Sequence, residues 1–151
     1  MTAIKSGFSK EEWKQARAKI NESDAFILII TNGAADFFRA KIVSGSKQGT
    51  SIYRDVLPSR ERVNWRYEEA LTDGLHEFEV DNLIQFEYVN ASGTSFYPSD
   101  PPEPFHPGKI IVTVENHADG SFTHSGILLN VHVSAGQEHA SVNGTYVFHG
   151  F

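Results

Sequence analysis

The chain has 151 residues, 40% hydrophobic and 12% aromatic, enough for one domain with a single core and too apolar for a disordered polymer. It has no cysteine, which excludes disulfides, thiolate metal sites and a thiol nucleophile and favours a reducing compartment. The net charge of −6 argues against a nucleic-acid partner.

That net charge hides a division. Twelve of the 13 basic and seven of the 19 acidic residues precede residue 67, which makes this part +5. The remainder holds one basic residue, twelve acidic ones and all seven histidines, and stands at −11. Residues 1–24 are polar and do not read as a secretory signal, and the longest apolar run, Ala25–Ile30, is far too short to span a bilayer. The expected location is the cytoplasm.

In chain order, residues 8–21 predict a short amphipathic helix. Ser9 and Glu12 form a capping box, Phe8 and Trp13 a hydrophobic staple, and Trp13, Ala16 and Ile20 share one face. Everything after it reads as strand: Ala25–Thr31, Phe37–Ser44, Ser51–Leu57 and Arg62–Tyr67. Asn32-Gly33 is a hairpin turn, because both residues tolerate positive φ. Residues His76–Val89 alternate most clearly. Phe78, Val80, Ile84, Phe86 and Tyr88 are expected in the core, opposite a ladder of Glu77, Glu79, Asp81 and Glu87, with a bend at Asp81-Asn82. Five prolines make Ala91–Gly108 a long irregular connection. Lys109–Glu115, Phe122–Ser134 and Ala140–Phe151 return to strand, with turns expected at Asp119-Gly120 and Asn143-Gly144. The fold class is mainly β: one antiparallel, jelly-roll-like sandwich or barrel with one short N-terminal helix. A short amphipathic helix ahead of a β-sandwich with aromatic loops resembles the plan of small membrane-binding cytolysins and of some fungal-type lectins. That resemblance is one of architecture, and it implies contact with a membrane or a carbohydrate surface.

Three groups of residues carry candidate chemistry. In loop 91–108, Phe96, Tyr97, Phe105 and His106 offer exposed aromatic area for stacking on a sugar, and Asp100 and Asn90 offer hydrogen bonds. Around residues 53–67, Arg54, Arg62 and Arg66 form a candidate anion site, since guanidinium groups pair with carboxylate or phosphate in bidentate fashion. Strand alternation sets Arg62 and Arg66 opposite Trp65, so the whole group does not line one pocket. The histidines lack metal-ligand spacing, and no cofactor motif, phosphate loop or nucleophile elbow is present. The expected function is a non-enzymatic, lectin-like binding domain for carbohydrate or a similar polar ligand. The alternatives are a small β-barrel enzyme or ligand carrier with His132 and Glu87 converging in a cavity, and a cytolysin-like membrane binder. A homo-oligomer centred on Leu83 and Val89 is a further expectation.

Overall fold

The computed structural model describes residues 22–56, 60–99 and 107–151. The helix expected at 8–21, and Asp100, Phe105 and His106, lie outside the described residues. Within them the chain is mainly β, an antiparallel sheet curled into a half-barrel. Its strands are β1 Asp24–Thr31, β2 Ala34–Arg39, β3 Ile42–Ser46, β4 Gly49–Tyr53, β5 Arg62–Arg66, β6 Gly74–Glu79, β7 Gln85–Val89, β8 Ser95–Pro98, β9 Lys109–Asn116, β10 Phe122–Ala135 and β11 Glu138–Gly150.

The order across the sheet is β2-β1-β11-β10-β8-β7-β5-β4-β3, with β9 on β10 and β6 on β9. The long strand β10 joins two wings. Its first half pairs with β9, and Val133 and Ser134 near its end pair with Pro98 and Tyr97 of β8. One wing is β2, β1, β11, β10, β9 and β6; the other is β8, β7, β5, β4 and β3. They curl toward each other over a shared core. Trp65 of β5 meets the Tyr146 ring of β11 edge-on at 5.1 Å, and Trp65 Nε1 donates to the Tyr67 hydroxyl at 2.8 Å. The inward row Val43, Ile52, Val63, Tyr88 and Phe96 is buried throughout, as period-2 alternation requires.

Several sequence expectations hold. Asn32 and Gly33 take φ values of 51° and 80° and join β1 to β2 in a two-residue turn, with Thr31 opposite Ala34. Val63, Trp65 and Tyr67 are buried, while Arg62 is half-exposed and Arg66 exposed. Others are corrected. The expected strand Phe37–Ser44 is broken at a corner: Ala40 N donates to Ala25 O on one wing, and Lys41 N to Tyr53 O on the other. The expected strand His76–Val89 is likewise two strands, separated by a 3₁₀ turn at Val80–Asn82 that carries the chain from β9 to β5. The carboxylate ladder is therefore split between wings, Ile84 is exposed, and Val89 is buried. Leu83 is partly buried against the core of its own chain.

Asn143-Gly144 is no turn but the middle of β11; the chain reverses at Gly136-Gln137 instead. The two residues are used otherwise. Asn143 Oδ1 accepts the Asn130 N–H at 2.9 Å, fixing a β-bulge where β10 slips between Leu128 and Val131. Gly144 lets β1 approach, since a Cβ there would stand 2.5 Å from Phe26 O. The bulge reverses the parity of β10, so His124 points inward and His132 outward.

Candidate functional site

The corner between the wings opens into a cleft of about 730 Å³. Four segments distant in sequence meet there. Asp36 sits on β2 in the inward phase of Phe38. Arg54 follows β4, Glu61 precedes β5 and is tied to Arg54 by the Arg54 N–H to Glu61 O bond, and Tyr88 lies on β7. Arg54 joins the carboxylates: its Nη1 donates to Asp36 Oδ2 and, at 3.1 Å, to Glu61 Oε1, while Nη2 donates to Asp36 Oδ1 at 3.2 Å. The Tyr88 hydroxyl donates to Glu61 Oε2 at 2.7 Å. The Arg54 guanidinium also lies 5.1 Å from the centre of the Phe38 ring.

The electrostatics follow from these contacts. Hydrogen bonding from Arg54, with its charge, holds the Asp36 carboxyl below its ordinary range against a slight cost of burial. Burial, then the bond to Glu61 and its charge, push the Tyr88 phenol well up, so it stays protonated. Its O–H donates a hydrogen bond to Glu61, leaving the lone pairs of the phenol oxygen able to accept from a ligand hydroxyl. Arg54 is held charged, chiefly by its bond to Asp36. Glu61 is 6% exposed and satisfied on both oxygens, so the chain Asp36–Arg54–Glu61–Tyr88 is ordered before any ligand arrives.

Asn90 lines the same cleft. Its Oδ1 accepts the N–H groups of Ser92 and Thr94, which builds the β7–β8 turn and commits that oxygen to the scaffold. Of the expected anion site, Arg54 thus joins Asn90 at the cleft with its guanidinium engaged by two carboxylates, while Arg62 and Arg66 lie elsewhere, on the outer face of β5.

That outer face is where Tyr97 sits. Tyr97 is 51% exposed, whereas Phe96 is buried against Tyr88 and takes no part in an exposed aromatic platform. Tyr97 OH donates to Glu87 Oε2 at 3.2 Å, Asn64 Nδ2 donates to Glu87 Oε1 at 3.2 Å, and Arg62 Nη2 lies 3.8 Å from the same oxygen. Burial raises the Glu87 carboxyl, but hydrogen bonds from Ser95, Asn64 and Tyr97 and the Arg62 charge outweigh it and leave the group below its ordinary value. His132 is fixed to the neighbouring Ser99, its Nδ1 3.0 Å from the Ser99 carbonyl oxygen. His132 and Glu87 therefore occupy the outer surface and do not converge inside a cavity. His124 is fully buried in the core beside Phe122, and burial lowers its pKa to about 4.

Among the described residues no three His, Asp or Glu side chains converge as a metal site, and no helix is long and apolar enough to cross a membrane. Comparison with protein-family models, with curated proteins and with solved structures finds no match to this chain. Sequence reasoning missed Asp36, Glu61 and Tyr88 as site residues. The one available signal was Asp36, a carboxylate two residues before Phe38 in the core phase of a strand.

Proposed function

We propose that the chain is a non-enzymatic, lectin-like domain that binds a neutral or amine-bearing sugar, or a similar polyhydroxylated ligand, in the cleft between the wings. The observation that carries this reading is the Asp36–Arg54–Glu61–Tyr88 chain, ordered at the wall of an open cleft. Its size falls in the range of roughly 300–1,000 Å³ typical of small-ligand sites. Carboxylate and guanidinium edges present paired hydrogen-bonding atoms that match vicinal hydroxyls, and pre-ordering them lowers the entropic cost of binding. Asp36, Asp55 and Glu61 outnumber Arg54 and Arg60 around the cleft, which disfavours an acidic sugar. In this reading the two wings act as the layers of a jelly-roll-like sandwich with the ligand at their shared mouth. The cysteine-free chain suits a cytoplasmic setting.

A glycan array followed by titration calorimetry tests the reading. Neutral or amino sugars are expected to bind, and Asp36→Asn is expected to weaken them about tenfold, since a charge-assisted hydrogen bond is lost. Absence of binding to every neutral and amino sugar, or equal affinity in Asp36→Asn, would refute the cleft as the site.

A further inference from the structure

The outer face of the second wing carries a polar row that crosses from wing to wing. Strand register sets Ser44 opposite Ser51, Ser51 opposite Asn64 and Asn64 opposite Glu87. The hydrogen bond to Tyr97 continues the row, which passes to Ser134 of β10 and His139 of β11. Every member is polar, and three are serines. Longer side chains flank the short ones: Tyr53 and Arg62 are paired along one side, and Arg66 and Gln85 along the other. The result is a shallow track whose positions repeat at the inter-strand spacing of about 4.8 Å.

Three features suit this track to a chain-like ligand. Glu87 is only 8% exposed although it belongs to an outward row, because Asn64 and Tyr97 close over it. That closure anchors the Tyr97 phenol while half of the side chain stays open to solvent, and a held aromatic ring makes a stacking platform at low entropic cost. Short hydroxyls and the Asn64 amide supply hydrogen bonds along the track without blocking it. The charge is sorted as well: Glu87 is answered by Arg62, whereas exposed Arg66 has no carboxylate partner among the described residues.

We propose that this face is a second glycan site, distinct from the cleft, that takes an extended polysaccharide bearing carboxylates, with a sugar ring on Tyr97 and a uronate on Arg66. Single-stranded nucleic acid also joins planar rings to negative charge. It is disfavoured here because a single strand is held by several aromatic rings that stack successive bases, and Tyr97 is the one Tyr, Phe or Trp ring of the row.

Affinity electrophoresis through gels containing polygalacturonate, highly methyl-esterified pectin or poly(U) tests the site without relying on the cleft. The wild-type chain is expected to be retarded by polygalacturonate, less by the esterified polymer and least by poly(U). Tyr97→Ala should weaken retardation about tenfold, as loss of a stacked aromatic anchor does. Tyr97→Phe, which keeps the ring, should retain most of it, and Arg66→Gln should erase the preference for the acidic polymer. No retardation, equal retardation in Tyr97→Ala, equal retardation by the esterified polymer, or retardation by poly(U) as strong as by polygalacturonate each overturns the proposal. The two sites fail separately. Retardation lost in Tyr97→Ala, in a protein that binds no small sugar, leaves the track standing without the cleft; small-sugar binding without retardation does the reverse.

Discussion

The two wings obey the same alternation inside and make opposite choices outside. On the first wing the outward positions of β1 and β2 are largely apolar. Phe26 of β1 and Phe37 of β2 stack with ring centres 6.0 Å apart, Arg39 lies over Phe26, and Ile127 and Leu129 of β10 are exposed beyond them. On the second wing the matching positions are Ser44, Ser51, Asn64, Arg62 and Arg66. The inner faces are under one constraint, burial of a common core, and both satisfy it with Val, Ile, Phe and Tyr. The outer faces are free of that constraint, so their composition diverges where the inner faces agree.

The strongest attack on this comparison is at the contact that makes the two wings one body. Trp65→Ala removes the ring that bridges β5 and β11, and is expected to cost about 3–5 kcal/mol in urea unfolding while keeping a single transition. Two separate transitions in the wild-type protein would show the wings to be independent.

Acid should strike the interior next. The folded His124 resists protonation down to about pH 4, whereas an unfolded histidine takes up its proton near pH 6.5. The unfolded state therefore binds the extra proton first as pH falls. The contribution of His124 to stability is expected to be flat above pH 6.5, to fall by on the order of 3 kcal/mol down to pH 4, and to be complete there. His124→Leu should flatten the profile of denaturation midpoints across that window; an unchanged slope would assign the loss to other groups. The Asp36 carboxyl, lowered by Arg54, loses its smaller contribution only below its unfolded value near 4, outside this window.

The two buried carboxylates sharpen the contrast between cleft and outer face. Glu61→Ala strands Arg54 and the buried Tyr88 hydroxyl, and should cost about 1–3 kcal/mol. Glu87→Ala frees donors that water can reach, and should cost less than about 1 kcal/mol. Equal losses would mean that the outer row is as dry as the cleft wall. The smallest effect is expected from Phe37→Ser, within about 0.5 kcal/mol because the side chain is 62% exposed. Combined with Phe26→Ser it should still cut binding of an apolar fluorescent dye to the first wing, and an unaltered dye signal would place the accessible apolar surface elsewhere.

Much of the framework was legible because alternation is a local property. Ala25–Thr31 falls within β1, Arg62–Tyr67 matches β5 to within a residue, and Asn32-Gly33 forms its turn with no help from the rest of the fold. The corners were not legible. Ala40 and Lys41 look like strand residues and are strand-like in their bonding, but to different wings, a distinction that exists only once β1 and β4 are in place. The same holds for Asn143, which has turn chemistry but spends it on a bulge 13 residues away. The cleft was the least legible part. Arg54 reaches Asp36 across 18 residues and Tyr88 reaches Glu61 across 27, and no spacing rule anticipates such an assembly. Tyr97 and Arg62, by contrast, were singled out for their residue type, and the structure joins them through Glu87.

The pairing of β1 has a consequence for how the protein is made. One of its edges is covered almost at once by β2, through the Asn32-Gly33 turn, but the other belongs to residues 140–147 of β11. A ribosome delivers those residues on the order of ten seconds later. Throughout that interval the Ala25–Ile30 segment presents an open row of peptide donors and acceptors along an apolar strand, the pattern that recruits neighbouring chains. Yield during synthesis should therefore depend on how crowded the nascent chains are, and refolding of the finished protein, with both edges available together, should be the cleaner reaction.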